Sequence, residues 1–357
     1  MNKLLHVKAG KAVYEMIKDG NFHLNQITAY FGAAGGPRWL IASGFDRTLM
    51  MSGLLGRTKP LLLVGASSGA LRFAAWLLPE AEESYHRLME VYIAMPYTRT
   101  DTPRRVQDSL IEIINAYIED DALPFAIAHP HYRLAIITAR AKNLIAAEIK
   151  GIQWFGLALC FLGNLLDRNH LFSFLERVVF YTGVKPPLFT LKPDFQGQYV
   201  PLKEANFKHA LLASAAIPLI VSGVRDIYGA PPGVYRDGGL IDYHISTRYA
   251  AGTDEVTLFF HHQERLIPGW LDRKLKRRLP PPEATENLLL VYPTEAFLDS
   301  LPGGKVPDRS DFITYSGDPE TRKKRWWEAV KKAAPLGEEF LELFFSGKIR
   351  EEIEPLS

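Results

Sequence analysis

Residues 60–78 read PLLLVGASSGALRFAAWLL: an apolar run, a turn of small residues and a second apolar segment. The run over 60–64 shows no alternation with polar residues, which is typical of a strand buried on both faces. It breaks at Gly65, and residues 70–78 favour a helix. The stretch therefore predicts a β-strand that turns directly into an α-helix.

Strand and helix patterns alternate through the first part of the chain. Residues 27–31 predict a strand, the glycine cluster 32–36 follows it, and residues 39–51 predict a helix. This order implies parallel strands joined by crossover helices, and hence an α/β fold. Further predicted elements are helices over 8–19, within 81–118 on either side of Pro96-Tyr97, and over 319–345, and strands over 133–138, 256–260 and 288–292.

Composition excludes several classes of protein. The net charge of +2 is too small to indicate nucleic-acid binding, and no DNA- or RNA-binding signature is present. Cys160 is the only cysteine, so neither an intrachain disulfide nor a thiolate metal site is expected. The N-terminus lacks the apolar core of a signal peptide, and no apolar run reaches the roughly 18 residues that span a bilayer. We expect one cytoplasmic domain of 357 residues, without cofactor or metal.

A G-x-S-x-G pentad, Gly65-Ala66-Ser67-Ser68-Gly69, occupies the turn between the predicted strand and helix. Small residues on both sides of the serine allow a sharp turn that leaves its Oγ exposed above the edge of the sheet. The following helix directs free N–H groups and the positive end of its dipole at the same point. The pattern predicts Ser67 as a nucleophile, and a small-residue turn without catalysis is the competing interpretation.

A second glycine-rich turn, Ala34-Gly35-Gly36-Pro37-Arg38, follows the strand predicted over 27–31. Glycines allow backbone N–H groups to converge on one point, as a tetrahedral oxyanion requires, and each such donor contributes about 3 kcal/mol in the transition state. Arg38 would add positive charge there. The glycines do not form the dinucleotide-binding pattern G-x-G-x-x-G. A loop that only needs tight turns is the alternative.

The third motif is Asp237-Gly238-Gly239, which follows the segment ASAAIP at 213–218. An aspartate before two glycines usually forms a turn, so this segment taken alone indicates structure rather than catalysis.

Together, the glycine-rich loop, the pentad, the Ser-x-Ala-x-Pro segment and Asp-Gly-Gly resemble the patatin-like phospholipase family in order and spacing. The resemblance covers residues 27–245, and residues 246–357 are expected to extend the same domain. It implies a three-layer α/β/α sandwich with a mainly parallel central sheet, and a hydrolase of lipid acyl esters. By motif position it assigns Ser67 as nucleophile and Asp237 as base, and it places Gly35, Gly36 and Arg38 in the oxyanion hole.

Two positions depart from the family's loop, which usually reads three glycines, one residue, Lys or Arg, then glycine. Ala34 replaces the first glycine and keeps an N–H that can donate. Trp39 replaces the last glycine and should narrow or roof the site. Pro37 has no N–H to donate.

A Ser–His–Asp triad is the alternative catalytic arrangement, because His244, His261 and His262 all follow Asp237. The usual α/β-hydrolase order ends in a late histidine. The motifs that accompany Ser67 favour the dyad, and no lipase-type His-Gly loop is present.

A lipid ester is the expected substrate, and a transient contact with a membrane surface is an additional expectation. Residues 151–166, with Trp154 and Phe155, and the basic run 273–278 beside Trp270 could make that contact. A buried core helix is the favoured interpretation of residues 151–166. An acyltransferase with the same acyl-serine and a non-catalytic lipid- or protein-binding protein stay open as alternatives, and no oligomeric state is predicted.

Overall fold

The structure is a computed structural model that describes residues 3–98, 100–192 and 195–356. Within these residues, 11 strands form one sheet. The strands are β1 Leu5–Ala9, β2 Ile27–Gly32, β3 Leu61–Ala66, β4 Tyr132–Ala141, β5 Leu175–Tyr181, β6 Gly197–Pro201, β7 Val224–Arg225, β8 Val234–Asp237, β9 Val256–Phe260, β10 Leu288–Pro293 and β11 Glu354–Pro355.

The strands run in the order β11-β1-β10-β9-β2-β3-β4-β5-β6, and β8 pairs with both β4 and β7. The central strands from β10 to β4 are mutually parallel. Antiparallel pairs occur where β1 joins β10 and where β4 joins β5 and β8. The parallel centre places the carboxyl ends of β2 and β3 side by side at one edge, where α/β sheets bind ligands.

The helices connect and cover these strands. They are α1 Lys11–Lys18, α2 Ser43–Ser52, α3 Ser68–Trp76, α4 Ala81–Ala94, α5 Pro103–Tyr117, α6 Leu123–Ile127, α7 Lys150–Leu166, α8 Leu171–Phe174, α9 Glu204–Ser214, α10 Pro282–Thr285, α11 Glu295–Ser300, α12 Ser310–Thr314, α13 Pro319–Ala333, α14 Leu336–Phe345 and α15 Ile349–Glu352. A 3-10 helix, Gly36–Ala42, precedes α2.

Apolar side chains cover both faces of the sheet, as the unbroken apolar strands predict. In β4, Leu134 and Ile136 enter one core with α2 to α5, α9, α13 and α14, whereas Ala135 and Ile137 enter a second core on the opposite face. The second core is closed by segments from residues 243–250 and 266–267. The expected three-layer α/β fold with a mainly parallel sheet is therefore confirmed.

Most predicted elements are present, with shifts of a few residues. The strand at 256–260 and the two helices on either side of Pro96-Tyr97 are confirmed. The helix predicted over 8–19 begins only at Lys11, because residues 5–9 pair with β10. The helical region 319–345 is divided at Pro335, which lies between α13 and α14.

The prediction that residues 151–166 form a core helix is wrong. They form α7, but only a narrow stripe of this helix is buried, and Trp154, Phe155 and Leu162 are exposed. On that buried stripe, Gly156 packs closely against Leu144.

Candidate active site

Ser67 occupies a sharp turn at the carboxyl end of β3. The strand ends at Ala66 and α3 begins at Ser68, so one residue makes the whole connection. Ser67 has φ 55° and ψ −125°, a conformation that side-chain-bearing residues adopt rarely and at a cost of about 1–3 kcal/mol. The predicted strand-to-helix turn is present, and its strain is concentrated at the predicted nucleophile.

The two glycines of the pentad are required by close packing. A β-carbon at Gly69 would lie 2.0 Å from the carbonyl oxygen of Gly32, at the end of β2. A β-carbon at Gly65 would lie 2.5 Å from the backbone nitrogen of Ala70. The start of α3 therefore sits directly on the ends of β2 and β3, and a larger residue at either position would push Ser67 out of place.

Ser214 holds the backbone of Ser67 from the Ser-x-Ala-x-Pro segment. The Ser67 N–H donates to Ser214 Oγ at 2.9 Å, and the Ser214 hydroxyl donates to the carbonyl oxygen of Ile137 at 2.7 Å. The Ser214 side chain links the turn at Ser67 to β4. The motif included Ser214, but its role could not be inferred from sequence.

Asp237 lies at the end of β8 and faces Ser67. The Ser67 hydroxyl donates to Asp237 Oδ2 at 2.7 Å, and the Gly239 N–H donates to Asp237 Oδ1 at 2.7 Å. The Asp237 N–H donates to the carbonyl oxygen of Ala216 at 2.9 Å. Both carboxylate oxygens are thus oriented, and one of them is aligned to accept the proton of Ser67.

The environment of Asp237 favours proton uptake. Burial raises the pKa of this carboxyl above its ordinary value, while the positive charge of Arg309 and the hydrogen bonds from Ser67 and Gly239 oppose the increase. A higher pKa makes the carboxylate a better base for a serine hydroxyl.

None of the three candidate histidines hydrogen-bonds to Ser67 or Asp237. His244 accepts the N–H of Ile267 at its Nδ1, and its ring stacks edge-on against His261 with centroids 4.0 Å apart. Burial lowers the pKa of His262 to about 3, and it lowers the pKa values of His244 and His261 well below their ordinary value. All three are therefore neutral near pH 7 and lie apart from the Ser67–Asp237 pair.

Gly36 is the residue of the oxyanion loop that lines the same cavity as Ser67. It has φ 60°, which favours glycine, and it begins the 3-10 helix, so its N–H has no acceptor within that helix. The N–H of Ala34 instead donates to the carbonyl oxygen of Tyr243 at 3.1 Å. The substituted alanine is therefore already engaged and cannot donate without breaking this contact.

Gly35 and Arg38 lie on the other side of the loop. They line a separate small cavity together with His261 and His262. The Arg38 guanidinium donates from Nε to Asp308 Oδ2 at 2.8 Å and approaches the same oxygen with Nη2 at 2.6 Å. The structure thus does not bring the charge of Arg38 to the Ser67 cavity, because Asp308 neutralises it.

Arg309, the next residue along the chain, supplies a cation there instead. Its side chain packs on Gly36, where a β-carbon would lie 2.7 Å from Arg309 Nε, and it lines the cavities beside both Ser67 and Asp237. Its guanidinium has no hydrogen-bond or ion-pair partner among the described residues. Sequence reasoning missed Arg309, because no local motif surrounds it.

An apolar cavity of about 160 Å³ opens beside Ser67. Its walls come from α3, the end of α4, α5, the segment after α9, and α12. Leu71, Met95, Val106, Leu110, Ile217 and Phe312 are among the lining side chains. The hydroxyl of Ser67 is therefore positioned at the wall of an apolar cavity.

A buried polar cluster fixes α3 behind the site. The Arg72 guanidinium pairs with Asp46, and the hydroxyls of Tyr30 and Tyr85 donate to the same carboxylate at 2.7 and 2.5 Å. These four residues come from α3, α2, β2 and α4, so they tie the helix that follows Ser67 to three other elements. Burying this charge is tolerated because every partner is hydrogen-bonded.

The part of the chain that the structure describes contains neither a cluster of metal ligands nor a membrane-spanning helix. Over residues 3–98, 100–192 and 195–356, no group of three or more His, Cys, Asp or Glu side chains is arranged to hold a metal ion. In the same ranges, no helix has both the length and the apolar character needed to cross a bilayer.

Comparison with known proteins finds distant similarity to solved structures. No protein-family profile and no curated protein matches the chain. A solved structure of human GIVD cytosolic phospholipase A2 is similar over 94% of this chain, with 12% sequence identity and a TM-score of 0.36. The chain spans 63% of that protein.

Proposed function

We propose that this protein is a serine acyl hydrolase that cleaves carboxylic ester bonds of lipids through a Ser67–Asp237 dyad. The observation that carries the proposal is the 2.7 Å hydrogen bond from Ser67 Oγ to Asp237 Oδ2 at the wall of an apolar cavity. A strained serine with a buried base on one side and an apolar cavity on the other is suited to acyl transfer from an apolar substrate.

In the proposed acylation step, Ser67 Oγ attacks the ester carbonyl carbon and its proton passes to Asp237 Oδ2. The carbonyl oxygen becomes an oxyanion, which the N–H of Gly36 and the first N–H groups of α3 are suited to stabilise. Arg309 adds a positive charge beside Gly36. Collapse of the intermediate breaks the bond to the leaving alcohol, which takes the proton from Asp237.

Deacylation repeats the same chemistry with water. Asp237 accepts a proton from a water molecule whose oxygen attacks the acyl-Ser67 carbonyl carbon. Collapse of this intermediate breaks the bond from the acyl carbon to Ser67 Oγ and releases the carboxylic acid, while the proton passes from Asp237 to Ser67 Oγ. No cofactor is needed, because the dyad supplies both the nucleophile and the base.

The apolar cavity supports an acyl chain as the group bound beside Ser67. An apolar protein cavity of about 150 Å³ holds a molecule of benzene, so the cavity of about 160 Å³ suits an acyl group of about six carbons before any rearrangement. Longer lipid chains would extend past the rim, where Ile220 and Ile313 are partly exposed.

Covalent labelling tests the proposal. A fluorophosphonate probe is expected to modify Ser67 and no other serine. Ser67 lines the apolar cavity, and its hydroxyl donates a hydrogen bond to the buried carboxylate of Asp237. The modified residue is identified by peptide mass spectrometry. In parallel, p-nitrophenyl esters of increasing chain length should be hydrolysed in the presence of a chelator, with a maximum at short to medium chains.

The neighbouring Ser68 offers a matched control. Its hydroxyl is buried at the same cavity but has no hydrogen-bond partner, so Ser68→Ala should retain labelling while Ser67→Ala loses it. Labelling of a different serine, or activity that requires added calcium, would contradict the proposal. Transfer of the acyl group to an alcohol in place of water would identify an acyltransferase.

The charge of Arg309 should affect the pH dependence of ester hydrolysis. Because Arg309 lowers the pKa of Asp237 against the effect of burial, Arg309→Gln should raise that pKa further. Protonated Asp237 cannot act as a base, so the acidic limb of kcat/KM against pH should move to higher pH. The measurement is a pH profile with a dissolved ester.

Arg87→Gln serves as the control, since Arg87 is an exposed arginine on α4. It should leave the profile in place. An unchanged limb in Arg309→Gln, or a shift to lower pH, would show that Arg309 does not act on Asp237.

A further inference from the structure

The exposed surface of α7 has the reverse of the usual polarity. Within residues 151–166, the polar side chains Gln153 and Asn164 are both buried. The large apolar side chains face outward, with Trp154 62% and Leu166 84% exposed. A surface helix of a globular protein normally shows the opposite arrangement. The other outward apolar side chains of this helix are Ile152, Phe155, Leu162 and Leu165.

The buried polar side chains fix the helix in this orientation. Gln153 Nε2 donates to the carbonyl oxygens of Ile145 and Ala147, at 3.2 and 2.7 Å. At the other end, Asn164 Nδ2 donates to Asp272 Oδ1 at 2.7 Å. Turning the apolar face inward would break these buried hydrogen bonds, so the outward face is a stable feature of the fold. A contiguous exposed apolar patch of this kind marks an interaction surface.

A cationic segment lies at the C-terminal end of this patch. Residues 273–278 contain five basic residues and no acidic one, and Arg273, Lys274, Lys276 and Arg277 are exposed. The segment is held to α7 because Arg278 Nη2 donates to the carbonyl oxygen of Asn164 at 2.9 Å. An apolar helix face beside clustered cations is complementary to a lipid layer that has an apolar interior and negatively charged head groups.

The patch adjoins the walls of the active-site cavity. Gln153 Oε1 accepts the N–H of Leu219 at 2.6 Å, and the neighbouring residues Ile217 and Ile220 line the cavity beside Ser67. Trp270, three residues before the first cation of the segment, lines the smaller cavity beside Asp237. The apolar face of α7 is thus connected to the cavity beside Ser67, and the cationic segment is connected to the cavity beside Asp237.

We propose that the outward face of α7 and the segment 273–278 form a docking surface for an anionic lipid bilayer. This inference rests on the proposed function, because docking here brings a lipid ester from the membrane to the rim of the Ser67 cavity. The bilayer takes up the side chains of Trp154, Phe155 and Leu162, and the cations contact anionic head groups.

Vesicle sedimentation tests the docking surface independently of catalysis. The full chain carrying Ser67→Ala is mixed with phosphatidylcholine vesicles, with and without phosphatidylglycerol, and the bound fraction is measured. Binding should require phosphatidylglycerol and weaken with added salt, because exposed charges are screened. Adding Trp154→Glu and Leu162→Glu should weaken binding about tenfold or more, because charged residues do not enter the apolar interface. Lys276→Glu with Arg277→Glu should do the same.

Phe345→Glu is the matched control, since Phe345 is an aromatic residue of α14 with 65% exposure. It should bind vesicles as well as the unsubstituted chain. In the active protein, the α7 variants should hydrolyse a dissolved short ester normally but lose activity on vesicle lipids. Circular dichroism checks that each variant is folded, and the pair Lys276→Glu with Arg277→Glu tests the surface without changing any residue of α7.

Three results would overturn the docking surface. The first is no binding to anionic vesicles, and the second is equal binding by the α7 variants and Phe345→Glu. The third is a dimer, seen by analytical ultracentrifugation, that Trp154→Glu and Leu162→Glu dissociate, because a second copy would then cover the patch. None of these results depends on whether Ser67 is the nucleophile.

Discussion

Replacing Ser67 with alanine is expected to lower the rate of ester hydrolysis by about 10⁴-fold or more, as when the nucleophile of a serine hydrolase is removed. The variant keeps the oxyanion donors and the apolar cavity but has no oxygen to form the acyl intermediate. Steady-state hydrolysis of a p-nitrophenyl ester measures the loss. Residual activity within about tenfold of the unsubstituted protein would exclude Ser67 as the nucleophile.

The fold should survive this substitution. Alanine at position 67 meets the same backbone strain at φ 55° as serine does and loses one hydrogen bond to Asp237, so the melting temperature should fall only modestly. Ser67→Gly provides a second check. Glycine adopts positive φ freely, so this variant should be inactive yet more stable than Ser67→Ala by about 1 kcal/mol. A large loss of stability in either variant would mean that inactivity reports unfolding.

Asp237→Asn is expected to lower turnover by about 10³-fold or more, by comparison with the removal of bases from other hydrolases. An asparagine at this position keeps an oxygen for the Gly239 N–H but cannot accept the proton of Ser67. The activity of the unsubstituted protein should fall at low pH. The midpoint of this fall should lie above the ordinary carboxyl pKa, because burial raises the pKa of Asp237.

The melting temperature of Asp237→Asn distinguishes loss of the base from loss of the fold. A carboxyl whose folded-state pKa is raised binds its proton more tightly when folded, so its contribution to stability is full below the unfolded pKa and is lost as pH rises through the folded pKa. Ionised Asp237 therefore destabilises the protein at neutral pH. Asp237→Asn removes that charge, and its melting temperature near pH 7 should equal or exceed that of the unsubstituted protein.

Single replacement of the histidines supplies the comparison. His244→Gln, His261→Gln and His262→Gln should each reduce turnover far less than Asp237→Asn, because none of these rings hydrogen-bonds to Ser67 or Asp237. Melting temperatures identify any variant that loses activity by unfolding. A folded histidine variant as damaged as Asp237→Asn would indicate a triad and remove the basis for the dyad.

The pattern of residues was sufficient to predict the α/β class and the turn at Ser67. Unbroken apolar strands are distinctive because they are buried on both faces, and Gly65 is required by crowding against Ala70 within the same turn. These features depend on neighbours in the chain, whereas Gly69 is required by its contact with the end of β2. For the same reason, β8 was not predicted: it is short, and its place follows from pairing with β4 almost 100 residues earlier.

The orientation of α7 shows a different limit. Its composition predicted a buried helix, because apolar residues are usually inside. In the fold, Gln153 and Asn164 are the side chains of α7 that are buried as hydrogen-bond partners. They bond to polar groups of Ile145, Ala147, Leu219 and Asp272. A helix with polar residues on one stripe can bury that stripe only by turning its apolar side chains outward, and no feature within residues 151–166 reveals where those partners lie.

The charges around the candidate site depended on distant contacts as well. Arg38 has the sequence position of a cation beside the oxyanion, but Asp308 pairs with it, and Arg309 lies beside Gly36 in its place. Local sequence predicted the nucleophile because a sharp turn requires particular residues on both sides of it. Arg38 and Asp308 are 270 residues apart in the chain. Only the folded chain therefore determines that Asp308 neutralises Arg38 and that Arg309 is the cation beside Gly36.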